Sequence, residues 1–312
     1  MIIAIILFLI SLGVLAKSSQ LAIRYSSKLS KTLHISEFVI SFFFIAFITV
    51  LPETVIGIIS AVKEIPALGA GTLIGSNVAD LSLILGIIIL ASIKGLRFKK
   101  EDIKENFLYS VILLIPLLLA LDGNFSRIDG GILIFSGLYF YYTLTKDFKL
   151  FKRKKYLDKK NALGYLILLV LSLGILILSA YFTVKYGWEL SNLIGIKPLI
   201  LGSVIIALGT TLPELMFSLK SVREKHSELG IGDIFGTVLW DGTIALGILI
   251  LIKPFSFAKE VMIIPTLFMF LSSLTIDYLS KRDKILTKRE GVYLMLFYLM
   301  FLIVEFLIGI NE

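Results

Sequence analysis

Long runs of Ile, Leu, Val, Phe and Ala, broken by short polar or basic interruptions, extend along the whole chain of 312 residues. A helix that crosses a bilayer needs roughly 20 predominantly apolar residues. Matching the runs to that length predicts ten membrane helices, at 2–23, 38–60, 69–92, 106–121, 128–145, 162–184, 198–219, 231–252, 258–279 and 290–309. The first run lacks a basic segment ahead of it and continues from Lys17 to Arg24 as an amphipathic stretch, so it reads as a span rather than a cleaved leader. The fold class is an all-α integral membrane protein.

Composition narrows the function. The chain is 57% hydrophobic and 17% charged, where a soluble domain carries about 25% charged residues, so a soluble enzyme is excluded. No polar stretch is long enough for a separate extramembrane domain. The absence of cysteine excludes disulfide frameworks, thiolate metal sites and Cys nucleophiles. Two histidines, His34 and His226, are too few for a His-built zinc or haem site, and both fall in connections, where they read as ordinary surface residues. With no nucleophile, His base or cofactor motif at membrane depth, neither an enzyme nor a cofactor is expected.

The net charge of +8 is spread unevenly. Of the 31 Lys and Arg residues, 25 fall after spans 1, 3, 5, 7 and 9, and 6 fall after spans 2, 4, 6 and 8. The positive-inside rule then places the first set in the cytoplasm and both termini outside a cell membrane. The longest basic run, 146–161, reads as a solvated cytoplasmic linker near anionic headgroups rather than a nucleic-acid site. The expected partners are the lipid bilayer and small inorganic cations, with no obligatory protein partner.

The chain also matches itself. At an offset of 161 positions, residues 11–91 align with 172–252 without a gap, with 26 identities in 81 positions. Rare residues match as well as common ones: Tyr25 with Tyr186, Pro52 with Pro213, Glu53 with Glu214, Gly75 with Gly236 and Asp80 with Asp241. The expected division is a first five-helix repeat over 1–145, the linker over 146–161 and a second five-helix repeat over 162–312. Because five is odd, the second repeat enters the membrane upside down. Inverted repeats characterise transporters whose substrate site lies near the midplane, where the repeats meet.

Four acids lie near the centres of their spans: Glu53, Asp80, Glu214 and Asp241. An ionised side chain at that depth costs about 3 kcal/mol or more unless it faces a protein interior with a partner, and no Lys, Arg or His lies at comparable depth. The acids are therefore either protonated or neutralised by bound cations. Their neighbours suit a hard cation. Pro52 and Pro213 open their helices and free carbonyl oxygens beside the glutamates. Thr49, Thr210 and Thr211 stand within a turn of the glutamates, and Ser76 and Thr237 a turn before the aspartates, on the same faces. Gly71, Gly75, Gly232 and Gly236 let helices approach. An all-oxygen shell selects Ca²⁺, Mg²⁺, Mn²⁺ or Na⁺ over zinc and copper.

These residues resemble the calcium/cation antiporter superfamily, most closely its microbial Na⁺/Ca²⁺ exchanger branch. That family carries a G-T-S-L-P-E-like motif on one helix and a G-S-N motif, followed two residues later by Asn or Asp, on the next. Here the second half reads Gly209-Thr210-Thr211-Leu212-Pro213-Glu214, and the first half contributes Gly75-Ser76-Asn77-Val78-Ala79-Asp80. The resemblance implies a central Ca²⁺ site at Glu53 and Glu214, with Thr49, Thr210 and the backbone carbonyls of Ala46 and Ala207. It implies flanking Na⁺ sites at Ser76, Thr211 and Thr237, with Asp241 at the centre, and spans 1 and 6 sliding as a gate past spans 2, 3, 7 and 8.

The sequence departs from the pattern in three places. The first-half motif reads Ile48-Thr49-Val50-Leu51-Pro52-Glu53, so its glycine and serine are missing and Val50 offers no oxygen to Na⁺. The second half reads Gly236-Thr237-Val238, with Trp240 beside Asp241. Asp80 stands where the closest microbial exchangers often carry Asn, and the potassium-dependent branch has an acid near there. The overall resemblance implies Ca²⁺ exchanged against Na⁺. Ca²⁺/H⁺ exchange and a K⁺-dependent variant are alternatives, and a cation channel is the alternative from another class.

Overall fold

The computed structural model describes residues 2–32, 46–92, 95–97, 100–146, 159–224, 227–283 and 285–311. The start of predicted span 2, most of the basic linker and both histidines lie outside these residues. Among them run ten long helical rods, which we number α1 to α10. They are α1 (Ile2–Thr32), α2 (Ala46–Thr49 and Leu51–Val62), α3 (Pro66–Ala91), α4 (Lys100–Leu119), α5 (Arg127–Lys146), α6 (Lys159–Ile194), α7 (Pro198–Arg223), α8 (Ser227–Leu239 and on to Ile252), α9 (Lys259–Asp283) and α10 (Lys288–Asn311). Seven of them contain segments long and apolar enough to cross a membrane, and the apolar pieces Leu51–Val62 and Leu108–Asp122 are shorter. The all-α membrane fold of two inverted five-helix repeats expected from the hydrophobic runs is the fold observed.

The burial pattern follows from what each helix faces. α3 is buried almost all round, and α8 and α7 mostly so, which places them at the centre. α6 and α10 bury little and present Leu166, Ile177, Leu299 and Phe306 outward, as expected of helices bordering lipid. The main core gathers Leu73, Leu81 and Leu85 of α3 with Leu239, Leu246 and Leu249 of α8 and Met269 of α9. A second core lies where Phe8, Leu12 and Leu15 of α1 pack with Leu176, Ala180 and Val184 of α6. Thr183 donates to Ser11 at 3.2 Å, while Lys28 sits 5.3 Å from the Tyr165 ring. Residue numbers rise along one helix as they fall along the other, so α1 and α6 are antiparallel.

Two miniature antiparallel ladders tie the connections together, an addition to the all-helical reading. β1 (Leu96–Arg97), after α3, pairs with β4 (Ile285–Leu286), after α9. β2 (Asn124–Phe125), after α4, pairs with β3 (Phe255–Ser256), after α8. The turn after α2 joins the connection after α8 through Glu64 and Lys253, 2.6 Å apart. Connections after odd helices thus meet at one end of the bundle and those after even helices at the other, as alternate crossing requires.

Very close backbone approach at the centre requires glycine. A Cβ on Gly75 would lie 2.1 Å from the Ser203 carbonyl oxygen, and one on Gly71 would lie 2.1 Å from that of Leu199. These two glycines let α3 pack directly on the start of α7. Gly232 does not repeat this approach, since a Cβ there would meet nothing within 4 Å among the described residues.

Candidate functional site

The helices that carry the acids are irregular where the acids sit. α2 breaks at Val50 (φ −74°, ψ −8°) and α7 at Thr211 (φ −77°, ψ −4°), both repeat mates, each followed one residue later by Leu and then Pro. A proline has no N–H to give, so the carbonyls four residues earlier, at Ile48 and Gly209, lose the donor a continuous helix would bring. The break leaves Glu53 and Glu214 in the first turn of a half-helix. In α3 and α8 the irregularity is a π turn, over Asp80–Ile84 and Trp240–Ala245. Such one-turn widenings concentrate at functional sites, and here each begins at or immediately before its aspartate.

Glu53, Asp80, Glu214 and Asp241 are all fully buried. Neither carboxylate oxygen of any of the four has a protein hydrogen-bond partner. They lie within electrostatic reach of one another: Glu214 senses Glu53 and Asp80, and Asp241 senses the same pair. No ion pair serves them among the described residues. Buried carboxyl groups from four helices, none with a hydrogen-bond partner, are costly to ionise unless something positive lies beside them. Among the described residues no three acids close into a ready-made metal cluster, so hydroxyl and carbonyl oxygens of the broken helices must complete any cation's shell.

Those hydroxyls are present and oriented. Ser76 donates to Leu73 O at 3.0 Å, Thr210 to Ala207 O at 3.0 Å and Thr211 to Leu208 O at 3.3 Å. Each spends its proton on its own helix, which leaves the oxygen lone pairs available to a cation. The Thr210 hydroxyl neighbours the Glu53 carboxyl, and that of Ser76 neighbours Asp241, so each pairing crosses between the two halves. Thr237 Oγ1 is buried with no partner. Ala46 opens the described part of α2, and the Ala207 carbonyl also accepts the Thr211 N–H at 3.0 Å.

A ring of supporting contacts fixes this centre. Asn77 donates across to Val238 O at 3.1 Å, tying α3 to α8. Tyr141 of α5 donates to Gly236 O at 3.1 Å and lies edge-on to Trp240. Trp240 Nε1 donates to Thr54 Oγ1 at 3.0 Å, joining the neighbour of Asp241 to the neighbour of Glu53.

Among the described residues three further acids are buried; Asp277 is paired with Lys281, and the other two, which matching the repeats passes over, have no basic partner. Asp233 of α8, only 4% exposed, accepts from Thr49 Oγ1 at 3.1 Å, and its other oxygen has no partner. It lies within electrostatic reach of Glu53, Asp80 and Glu214. Glu305 of α10 accepts from Ser203 at 2.6 Å. Both are acids inside apolar runs, a signal present in the sequence. Asp233 aligns with Thr72 in the repeat, and Glu305 lies beyond the aligned segment.

A sequence model described as sodium/calcium exchanger protein matches residues 3–146 and 164–307 of the chain. The sodium/calcium exchanger MaX1 of Methanosarcina acetivorans is 24% identical, over 97% of this chain and 98% of its own length. Among solved structures, the H⁺/Ca²⁺ exchanger CAX superposes with a TM-score of 0.81 at 16% identity, covering 98% of this chain and 84% of that one. The sodium–calcium exchanger NCX_Mj superposes with a TM-score of 0.68 at 22% identity, covering 96% of this chain and 97% of that one. At these identities the two structures speak for the fold alone.

Proposed function

Because the chain belongs to the sodium/calcium exchanger protein family, a family of transporters rather than enzymes, we propose that it is a secondary active antiporter that moves Ca²⁺ across a cell membrane in exchange for Na⁺. One observation carries the reading: Glu53 and Glu214, from inverted halves, are fully buried with no partner on any carboxylate oxygen. Ca²⁺ takes six to eight oxygen ligands. Glu53, Glu214, Thr49, Thr210 and the carbonyls of Ala46 and Ala207 would hold it, and Ser76, Thr211 and Thr237 would hold Na⁺ on either side, with Asp241 at the centre and Asp80 as the further acid of the site.

Each half contributes to the centre one helix broken just before its glutamate and one helix with a π turn at its aspartate. A cation entering from either face therefore meets one glutamate and one aspartate of each half, which suits alternating access. In this reading the antiparallel pair α1 and α6 slides against α2, α3, α7 and α8, opening one end and then the other. The halves span 1–145 and 162–312, joined by the basic linker 146–161, with both termini outside the cell and the basic connections in the cytoplasm. The two matched segments and the distribution of Lys and Arg support that arrangement.

A second reading, Ca²⁺/H⁺ exchange, draws support from Val50, 2% exposed beside the Thr49 of the site, where a hydroxyl for Na⁺ is missing. The test is ⁴⁵Ca²⁺ flux into proteoliposomes holding the purified protein. Flux that follows an imposed Na⁺ gradient at fixed pH supports Na⁺ coupling, flux that follows only a pH gradient supports the second reading, and flux that needs no counter-ion and does not saturate points to a channel.

A further inference from the structure

The two halves are not equivalent at the site, and two of their differences meet at one contact. Val50 occupies the position whose mate is Thr211, and Asp233 the position whose mate is Thr72. Thr72 turns its hydroxyl onto its own helix, donating to Leu68 O at 2.9 Å. Asp233 instead reaches across to Thr49, the residue next to Val50, which donates to it at 3.1 Å. A hydroxyl is lost and a carboxylate gained at the same place.

The second Asp233 oxygen, Oδ2, is buried without a protein partner, in a residue only 4% exposed. Thr237, four residues on and so on the same face of α8, is fully buried and its hydroxyl is likewise unpartnered. A carboxylate whose only role was to tether α2 to α8 would gain nothing from a buried, unsatisfied oxygen, which costs about 1–3 kcal/mol or more when charged. These groups place unpartnered buried oxygens on the face of α8 that meets Thr49 of α2, within electrostatic reach of Glu53, with a carboxylate where the repeat mate has the Thr72 hydroxyl.

We propose that Asp233 is a cation-binding and specificity-determining residue: with the hydroxyls of Thr49 and Thr237 it gives a sodium-sized monovalent cation the oxygen that Val50 cannot. This rests on the reading of the site as a Na⁺-coupled exchanger. It assigns the loss of the serine-like hydroxyl at position 50 and the gain of an acid at position 233 to one function.

The experiment is Na⁺-driven ⁴⁵Ca²⁺ release from proteoliposomes, with the half-saturating concentrations of Na⁺ and Ca²⁺ measured separately. Asp233→Asn keeps the volume and an oxygen to which Thr49 can donate, and removes the charge. Loss of a charged ligand is expected to raise the half-saturating Na⁺ about tenfold or more, with a much smaller shift for Ca²⁺. The double variant Val50→Ser/Asp233→Thr restores hydroxyls at both mates and is expected to bind Na⁺ more tightly than Asp233→Asn. It also carries the test if Asp233→Asn does not fold, since it should then retain Na⁺-driven release where Val50→Ile/Asp233→Thr does not. Unchanged Na⁺ dependence in Asp233→Asn, or equal shifts for both ions, overturns the assignment and leaves the exchanger reading standing. If the unaltered protein releases Ca²⁺ without regard to Na⁺, the Na⁺-coupled reading itself fails, and this assignment with it.

Discussion

The indole N–H of Trp240 donates to the Thr54 hydroxyl at 3.0 Å, so the residue before Asp241 is bonded to the residue after Glu53. That bond couples a π turn of one half to a half-helix of the other. Trp240→Phe removes the donor and leaves the Thr54 hydroxyl to find another partner, at an expected cost of about 1 kcal/mol. Thermal unfolding of the detergent-solubilised protein measures the cost, and Ca²⁺ flux should fall as well. A loss of flux with no change in stability would separate positioning from packing.

The glutamates themselves give a larger prediction. Glu53→Gln and Glu214→Gln keep shape and remove charge, and each is expected to abolish Ca²⁺ uptake by vesicles. Because an ionised acid in that pocket is costly, the same variants should lose no stability in the absence of Ca²⁺. Uptake retained in both would remove these residues from the site.

Close backbone approach between α3 and α7 sets a third expectation. In Gly75→Ala the new methyl would stand 2.1 Å from the Ser203 carbonyl oxygen, and backbone cannot swing aside as a flexible side chain can. Overpacking of this kind costs about 1–3 kcal/mol or more. Gly174→Ala, on α6 with nothing within 4 Å of the added carbon, is the matched control and should be neutral or slightly stabilising. Melting temperatures of the two variants in the same detergent make the comparison.

At position 50, Val50→Ser supplies a hydroxyl where α2 breaks. Half-saturating Na⁺ in Ca²⁺ release is expected to fall by several-fold, the scale of one added hydrogen-bond-strength contact of about 1 kcal/mol. Val50→Ile, similar in bulk and without oxygen, should not produce that fall.

Helix positions and the site's main acids could be read from the sequence because the membrane makes both conspicuous: apolar runs must be long, and acids within them are rare. The predicted 162–184 grew to Lys159–Ile194 because Lys185 to Glu189 continue the helix beyond the apolar run. Asp233 escaped because symmetry was the filter, and it stands where the symmetry fails. Glu305 escaped for a related reason, being an acid in an apolar run with no mate in the aligned segment. The π turns at Asp80 and Trp240 leave no mark in the sequence, since one extra residue per turn changes hydrogen bonding without changing composition. The two-residue ladders were invisible too, because pairs so short depend on where the helices deliver the connections.

The antiparallel pair α1 and α6 has 31 and 36 residues. At 1.5 Å per residue the longer rod measures about 54 Å, against an oily layer of about 30 Å. A rod so oversized must lean or protrude, and any stroke along its axis changes how much of it the acyl chains cover. Turnover in liposomes should therefore depend on acyl-chain length, making the thickness of the host membrane a setting on the machine.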